Sequence, residues 1–392
     1  MPSFPALAFA LACRTGLDTG PLPDSGGGDA GTAGDSVTTA DSGPADDSGS
    51  TVDEDDDLRI LSLNLHCFKL DGTTFASNEE RFAAIAATVA SQGIVAMAVQ
   101  EACENDTEGV AIDRLAEALA VATGARWGTA WTPTHVAWTG TADEAQEGVG
   151  VLFSGGEPAD VATLEYSVQG ALGRRLLAGT FTTAGGSDVR LASVHLDYED
   201  SDVRRAQARQ SAMHALANAD DTWGTLLAGD FNAVASDGAI VDLGNAGLSR
   251  LSAESDDGTH IDHVFAPGPA NFEVVESRLL FAGSSEPVVS DHRGVLVHLR
   301  RGTPTAAVLT RFVATYDAGV GHYLGLRGDT SPLDWNLGWP AANTAADRWE
   351  AAFLGWPSGT IAYKWLYDDS AWEAGDDHQL QAGMTGEVAP TF

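Results

Sequence analysis

Three consecutive pieces decide the fold: LRILSLNLH (58–66), RFAAIAATVASQG (81–93) and IVAMAVQE (94–101). The outer two are short apolar runs of the kind that form buried strands, and the middle one repeats its apolar residues at helical spacing. The order strand, helix, strand is the elementary unit of an α/β layer. Working outward, GVGVLFS (148–154), RRLLAGTFTT (174–183), VRLASVHLD (189–197), TLLAGDFN (225–232), HIDHVFAPG (260–268) and GVLVHLR (294–300) repeat the strand texture. A further helix is expected over VRRAQARQSAMHALANA (203–219). Antiparallel neighbours among these runs predict a strand-rich α/β sandwich.

Polar residues recur where the apolar runs stop. They are Asn64, Gln100 with Glu101, His195, Asp230 with Asn232, Asp262, and Ser290 with Asp291 and His292. Each piece alone has a bland reading. An Asn closing a strand is usually a turn former, GDFN makes a tight turn, and a lone His usually belongs to the core. Their joint occurrence, each behind or beside an apolar strand, points instead to a site, because a strand end holds polar groups rigidly beside solvent. Oxygen-rich donors of this kind suit Mg²⁺ or Mn²⁺, and Mg²⁺ in particular keeps several waters and takes one or two carboxylates plus substrate phosphate. Glu101 is the natural first ligand.

In this order the pieces resemble the active-site motifs of the endonuclease/exonuclease/phosphatase superfamily typified by deoxyribonuclease I, over about residues 58–300. The resemblance implies an α/β fold, a four-layer sandwich of two β-sheets flanked by helices. It further implies a metal-dependent phosphoester hydrolase, foremost one acting on phosphodiesters, in which Asn64, Glu101 and Asp291 serve the metal. Asp230 and Asn232 would orient the attacking water and hold the phosphate. Asp262 would orient His292, which acts as proton acceptor or phosphate binder, and His195 would stabilise charge on the transferring oxygens. His263 stands where the family often has Tyr, and His66, His260 and His263 are expected at the rim or as structural groups. The motifs do not choose among nucleases, sphingomyelinases and phosphatases.

The formal charge of -35 narrows that range. Residues 1–57 hold twelve acidic groups and one Arg, which leaves -24 for residues 58–392. Nucleic-acid binding draws on phosphate neutralisation by Lys and Arg, and the only lysines are Lys69 and Lys364. Strong non-specific nucleic-acid binding is therefore disfavoured, with Arg204, Arg205 and Arg209 as the one candidate basic patch.

Residues 4–12 (FPALAFALA) precede Cys13 in a way that resembles a bacterial lipoprotein signal, which implies lipidation of Cys13, with a plain secretory signal as the alternative over 1–13. Residues 14–57 are rich in Gly, Ser, Thr, Ala and Asp and are expected to be a disordered acidic spacer. The protein is thus expected to be exported, either secreted or held at the outer or cytoplasmic membrane by a lipid anchor alone. That setting favours a disulfide, and Cys67 and Cys103 lie three and two residues after Asn64 and Glu101, which must converge on one metal. The pair is expected to be bridged.

Residues 311–392 have another texture, Trp-rich with short strand-like runs such as RFVATYD, HYLGLRG, RWEAAFLGW and TIAYKWLYD. This predicts a small β-sandwich. LGLRGD, LDWN, WPSGTIAYKW and AWEAGDDH resemble, in order, the starch-binding type of carbohydrate-binding module. The resemblance implies an α-glucan partner contacted by Trp335, Lys364 and Trp372, whereas Trp349, Trp356 and Trp365 alternate along the strand-like runs and are expected in the core. Asp377 departs from the family's usual Asn. All catalytic pieces precede Arg300, so the chemistry is expected not to depend on this module. The alternative from another class is a non-catalytic glycan-binding surface protein.

Overall fold

The computed structural model describes residues 57–217, 225–253, 258–268, 272–283, 286–301, 308–355 and 358–392. The signal, Cys13, Trp356 and the spacer up to residue 56 lie outside the described residues. Asp57, expected to close the spacer, already belongs to the first strand, where its carboxylate accepts from His298 Nε2 at 2.9 Å and Arg300 Nε at 3.1 Å.

In the first sheet, of eight strands, β1 (Asp57–Asn64) runs parallel to β2 (Ala96–Gln100), and β3 (Ala145–Ser154) pairs antiparallel with β2. The second sheet has six strands, among them β4 (Arg175–Thr182), β5 (Asp188–His195), β6 (Thr225–Asp230) and β7 (Asp262–Pro267). The last strand of the catalytic region, β8 (Gly294–Arg301), returns to the first sheet antiparallel to β1.

Side-chain alternation sets the layers. Leu58 and Ile60 of β1 and Ala96 and Ala98 of β2 pack against Val189, Leu191, Leu226, Ala228 and Val264, forming the core between the sheets. Leu61, Leu63, Met97 and Val99 face the other way, onto α1 (Asn78–Gln92) and α2 (Ala111–Thr123). Helix α1 starts at Ser77, whose side chain accepts from Glu80 N, and stops at Gly93, whose φ of 63° only a residue without Cβ adopts freely. Its buried stripe is Phe82, Ile85, Ala86 and Val89, and each large member stabilises the fold by about 1.5–3 kcal/mol. On the far side of the second sheet lie α3 (Ser201–Ala217) and α4 (Gly238–Ala246). The four-layer sandwich expected from the sequence is therefore present.

The C-terminal part is a second all-β unit, with sheets of four and five strands. In it, β9 (Leu309–Thr315) pairs with β11 (Arg348–Leu354), and β10 (Leu324–Gly328) pairs with β12 (Thr360–Tyr367). Trp349 and Trp365 are buried, as their alternation predicts. Its core is continuous with that of α3, for Ala208, Ala212, Met213 and Leu216 join Phe312, Trp339, Trp349 and Phe353 in one cluster. Polar bonds cross the same junction. Arg209 donates to Gly338 O at 2.9 Å with its guanidinium 4.8 Å from the Trp339 ring, Gln210 donates to Ala341 O at 3.2 Å, and Arg311 donates to Ala217 O at 2.8 Å. The sandwich is thereby packed against the catalytic fold through a shared core. The sequence shows each apolar stripe and not which stripe it meets. In the candidate arginine patch, Arg205 and Arg209 share Asp242, each at 2.6 Å, and Arg204 meets Asp237 at 3.3 Å, so two carboxylates face these three cations.

Candidate active site

The alternation that builds the inter-sheet core also aims the site. Asn64 shares a face with Leu58 and Ile60, His195 with Val189 and Leu191, Asp230 with Leu226 and Ala228, and Asp262 with Val264 and Ala266. Each polar residue continues an apolar row to the open end of the gap between the sheets. Register does the rest. Asn64 lies beside Gln100, and Asp230 lies between His195 on one neighbour and Asp262 on the other. Asp262 opens rather than closes its strand, because β7 runs antiparallel to β6, and Asp291 and His292 sit in the segment that leads into β8.

Asp230 is the hub. It is 1% exposed, and its Oδ2 accepts from Asn64 Nδ2 at 3.2 Å and lies 3.5 Å from His195 Nε2 and 3.7 Å from His292 Nε2. Asn64 Nδ2 also donates to Glu101 Oε1 at 3.0 Å, while Asn64 Oδ1 accepts from the backbone of His66 at 2.9 Å. Asn64, expected as a metal-site group, thus presents N–H to both carboxylates and holds them in place. Asn232 donates from its backbone to Asp230 Oδ1 at 2.8 Å and from its side chain to Leu196 O at 3.0 Å.

His292 Nδ1 lies 2.9 Å from Asp262 Oδ2. Burial and the charge of Asp230 push the Asp262 carboxyl up to about 6. Burial opposes charge on His292, but the Asp262 hydrogen bond and the charges of Asp262, Asp230 and Asp291 outweigh it and push the imidazole up to about 10. The two groups form one hydrogen-bonded pair and titrate together. Glu101 is the opposite case. Burial disfavours its charge, and the His66 hydrogen bond, the His195 charge and the Asn64 amide overcome that and hold it at about 2.

Two buried residues of the site escaped the sequence reading. Arg174 NH1 donates to Glu147 Oε1 at 2.9 Å and lies 2.9 Å from His195 Nδ1. With the guanidinium as donor, Nδ1 accepts, which places a ring proton on Nε2, facing Asp230. A signal for Glu147 existed in its spacing, two residues before Val149 in the inter-sheet row of β3. His66, expected at the rim, lies deeper. Its Nδ1 is 3.3 Å from Asp291 Oδ2 and 3.7 Å from Glu101 Oε2, and those carboxylates raise its pKa against the effect of burial. Its loop is fixed by the buried Arg81 of α1, which donates to Leu65 O at 2.8 Å, Cys67 O at 2.6 Å and Lys69 O at 3.2 Å. Cys67 and Cys103 are joined, with Cα atoms 4.8 Å apart. His263 is structural, 1% exposed, with Nε2 2.8 Å from Ala233 O. His260 lines a cavity of about 240 Å³ with Asp262, Asp291 and His292, and burial pushes its imidazole down to about 4.

A divalent ion fits this donor set. Among the described residues, Cys67, Glu101 and Glu147 form one group of ligand-type atoms and Asp230, Asp262 and His292 another. The Cys67 sulfur is spent in the disulfide, and Glu147 is held by Arg174, so ionised Glu101 is the available ligand on its side. One or two carboxylates with water and phosphate oxygens are what Mg²⁺ takes.

The Endonuclease/Exonuclease/phosphatase family model matches residues 61–292. The chain belongs to that family. Family members are phosphoester hydrolases that in general use a divalent metal. No curated protein matches the chain. Among solved structures, an endonuclease/exonuclease/phosphatase from Beutenbergia cavernae DSM 12333 is 20% identical, with a TM-score of 0.51 over 83% of this chain and 99% of that one. A family protein from Leptotrichia buccalis C-1013-b is 19% identical, with a TM-score of 0.49 over 62% of this chain and 99% of that one. The mannosyl-6-phosphatase Bt3783 of Bacteroides thetaiotaomicron VPI-5482 is 16% identical, with a TM-score of 0.45 over the same shares. The 83% share exceeds what residues 58–300 can supply, so the likeness in fold to the Beutenbergia protein reaches into the C-terminal sandwich.

The residues expected to touch sugar lie together at the edge of that sandwich. The rings of Trp335 and Trp372 are 6.1 Å apart and inclined by 42°, and Trp372 is 44% exposed. Lys364 Nζ donates to the carbonyls of Glu373 at 3.1 Å and Gly375 at 2.7 Å, bracing the segment after Trp372. Asp377 is exposed.

Proposed function

We propose that this chain is an exported, Mg²⁺-dependent phosphoesterase acting foremost on phosphodiesters, with a C-terminal sandwich that holds it to α-glucan. The observation that carries the hydrolytic reading is Asp230, a buried carboxylate touched by Asn64, His195 and His292 at once. Asp230 and Asn232 orient a water for in-line attack on phosphorus, and Asp230 accepts its proton. His292 donates to a phosphoryl oxygen while Asp262 fixes its ring. His195 offers its Nε2 proton to a second oxygen. As the new P–O bond forms, the ester P–O bond breaks and the alcohol departs with a proton. When bound at Glu101 and Asp291, the metal neutralises charge on the transferring and leaving oxygens.

Export is supported by the lipoprotein-like start and by the Cys67–Cys103 bridge, which suits an oxidising compartment. Glucan binding is supported by the inclined pair of half-buried Trp335 and exposed Trp372, flat apolar faces on which sugar C–H faces can stack. Turnover of bis-p-nitrophenyl phosphate with and without Mg²⁺ or Mn²⁺ tests the chemistry, and no metal-stimulated turnover overturns it.

A further inference from the structure

Among the described residues, His66 brings an imidazole against both carboxylates assigned to the metal. Its Nδ1 stands 3.3 Å from Asp291 Oδ2 and 3.7 Å from Glu101 Oε2. Donors that share one divalent ion at about 2.0–2.2 Å stand roughly 3–3.5 Å apart at neighbouring positions. Both separations are within a fraction of an ångström of that spacing.

The other ring nitrogen completes the pattern. Nε2 is buried, makes no hydrogen bond and lies 3.5 Å from Asp71 Oδ1. A metal-bound histidine characteristically directs its second N–H at a carboxylate, carbonyl or water, which fixes the tautomer and aims the lone pair at the ion. Asp71 stands where that carboxylate belongs, with the proton on Nε2 and the lone pair of Nδ1 turned to Glu101 and Asp291. The backbone holds the ring in this place. His66 has a φ of 50°, in the left-handed region that a residue with a Cβ seldom enters, and such strain persists chiefly at functional positions. Its backbone N–H donates to Asn64 Oδ1 at 2.9 Å, the same Asn64 whose amide donates to Glu101. Arg81 and the Cys67–Cys103 bridge fix the residues on either side.

We infer that His66 Nδ1 is a direct ligand of the divalent ion beside Glu101 and Asp291, with Asp71 as the positioning residue behind it, and that this nitrogen makes the site prefer Mn²⁺ to Mg²⁺. The inference rests on the metal-dependent reading of the site and adds a ligand to it. Mg²⁺ takes a shell of oxygens, whereas imidazole suits transition metals, so a nitrogen donor favours Mn²⁺ without excluding Mg²⁺.

Electron spin-echo envelope modulation of the full-length protein loaded with Mn²⁺ reads nitrogen bound directly to the ion, independently of turnover. The wild type is expected to show a directly bound imidazole nitrogen, and His66→Gln to lose it while keeping its circular dichroism. By titration calorimetry, the same substitution is expected to weaken Mn²⁺ binding at least about tenfold and Mg²⁺ binding less than about threefold. Should His66→Gln not fold, Asp71→Asn at an exposed position takes its place, with a roughly 10- to 100-fold loss of Mn²⁺ affinity expected. Unchanged affinity there sinks the inference. Bound Mn²⁺ without a nitrogen signal, or a signal undiminished in His66→Gln, overturns it and leaves His66 as an ion-pair partner of the carboxylates, with the hydrolase reading standing. A nitrogen signal that His66→Gln removes, in a protein that turns over no diester, keeps the ligand and removes the hydrolase.

Discussion

The catalytic region and the C-terminal sandwich both gather polar or aromatic side chains at the edge of a β-sheet, in opposite physical settings. At the catalytic end the groups are buried, bonded to one another and shifted by one another. Glu101 is held at about 2 and Asp262 is pushed to about 6 within the same cleft. At the other end Trp372 is exposed and Trp335 half-buried, with the Arg327 guanidinium centre 5.3 Å from the Trp372 ring. A buried network makes its members interdependent, whereas an exposed surface lets each member act alone. Opposed environments for two carboxylates also mark which one serves as an anion and which shares a proton.

That contrast is open to attack at several strengths. The largest expected effect comes from removing the sandwich altogether. Truncation after Arg301 uncovers Ala208, Ala212, Met213 and Leu216 of α3, and the shortened protein is expected to lose soluble expression and diester hydrolysis together. A soluble, fully active truncation would show that the chemistry does not depend on the sandwich. Next comes Glu101→Gln, expected to lower metal-dependent turnover by at least about 100-fold, the upper end of losses known for partners of a metal, with unchanged circular dichroism. Retention of more than about a tenth of the activity would remove Glu101 from the metal.

Interdependence itself is tested by His292→Ala and Asp262→Ala. Each is expected to cost roughly 100-fold in kcat, with the double variant no worse than the poorer single one. Losses that multiply would dissolve the dyad. The smallest effects belong to the aromatic pair of the sandwich. Trp335→Ala and Trp372→Ala are each expected to weaken retention on insoluble starch several-fold, on the scale of about 0.5–1.5 kcal/mol per aromatic contact, and together to multiply. Starch retention unchanged in both would separate these rings from any glucan.

Much of the catalytic end was legible because its signals are local. An apolar row of period two followed by Asn, Glu, His or Asp predicts both the strand and the direction of its last side chain, and Asn64, His195 and Asp230 follow that rule. Asp262 obeyed it from the opposite end, which only the antiparallel pairing reveals. Arg174 was hidden because a charge at the start of RRLLAGTF reads as ordinary solvent exposure, and its burial depends on Glu147 arriving from a distant strand. Asn64 showed where its side chain sits and not which of its two amide atoms faces the carboxylates. The junction of α3 with the sandwich was illegible for a related reason, since an apolar stripe does not name its partner.

Arg81 has a further consequence. One guanidinium from α1 ties three carbonyls of the loop from Leu65 to Lys69, so that loop cannot swing out while the helix remains docked. Loops beside active sites usually belong to the least protected part of a protein in amide hydrogen exchange. Here the amides of Cys67 and Lys69, bonded to Glu101 O and His66 O, should exchange at the slow rate of α1 rather than at the rate of a surface loop. Both sides of the cleft at Glu101 then open only in the same rare event that lifts the first helix from its sheet.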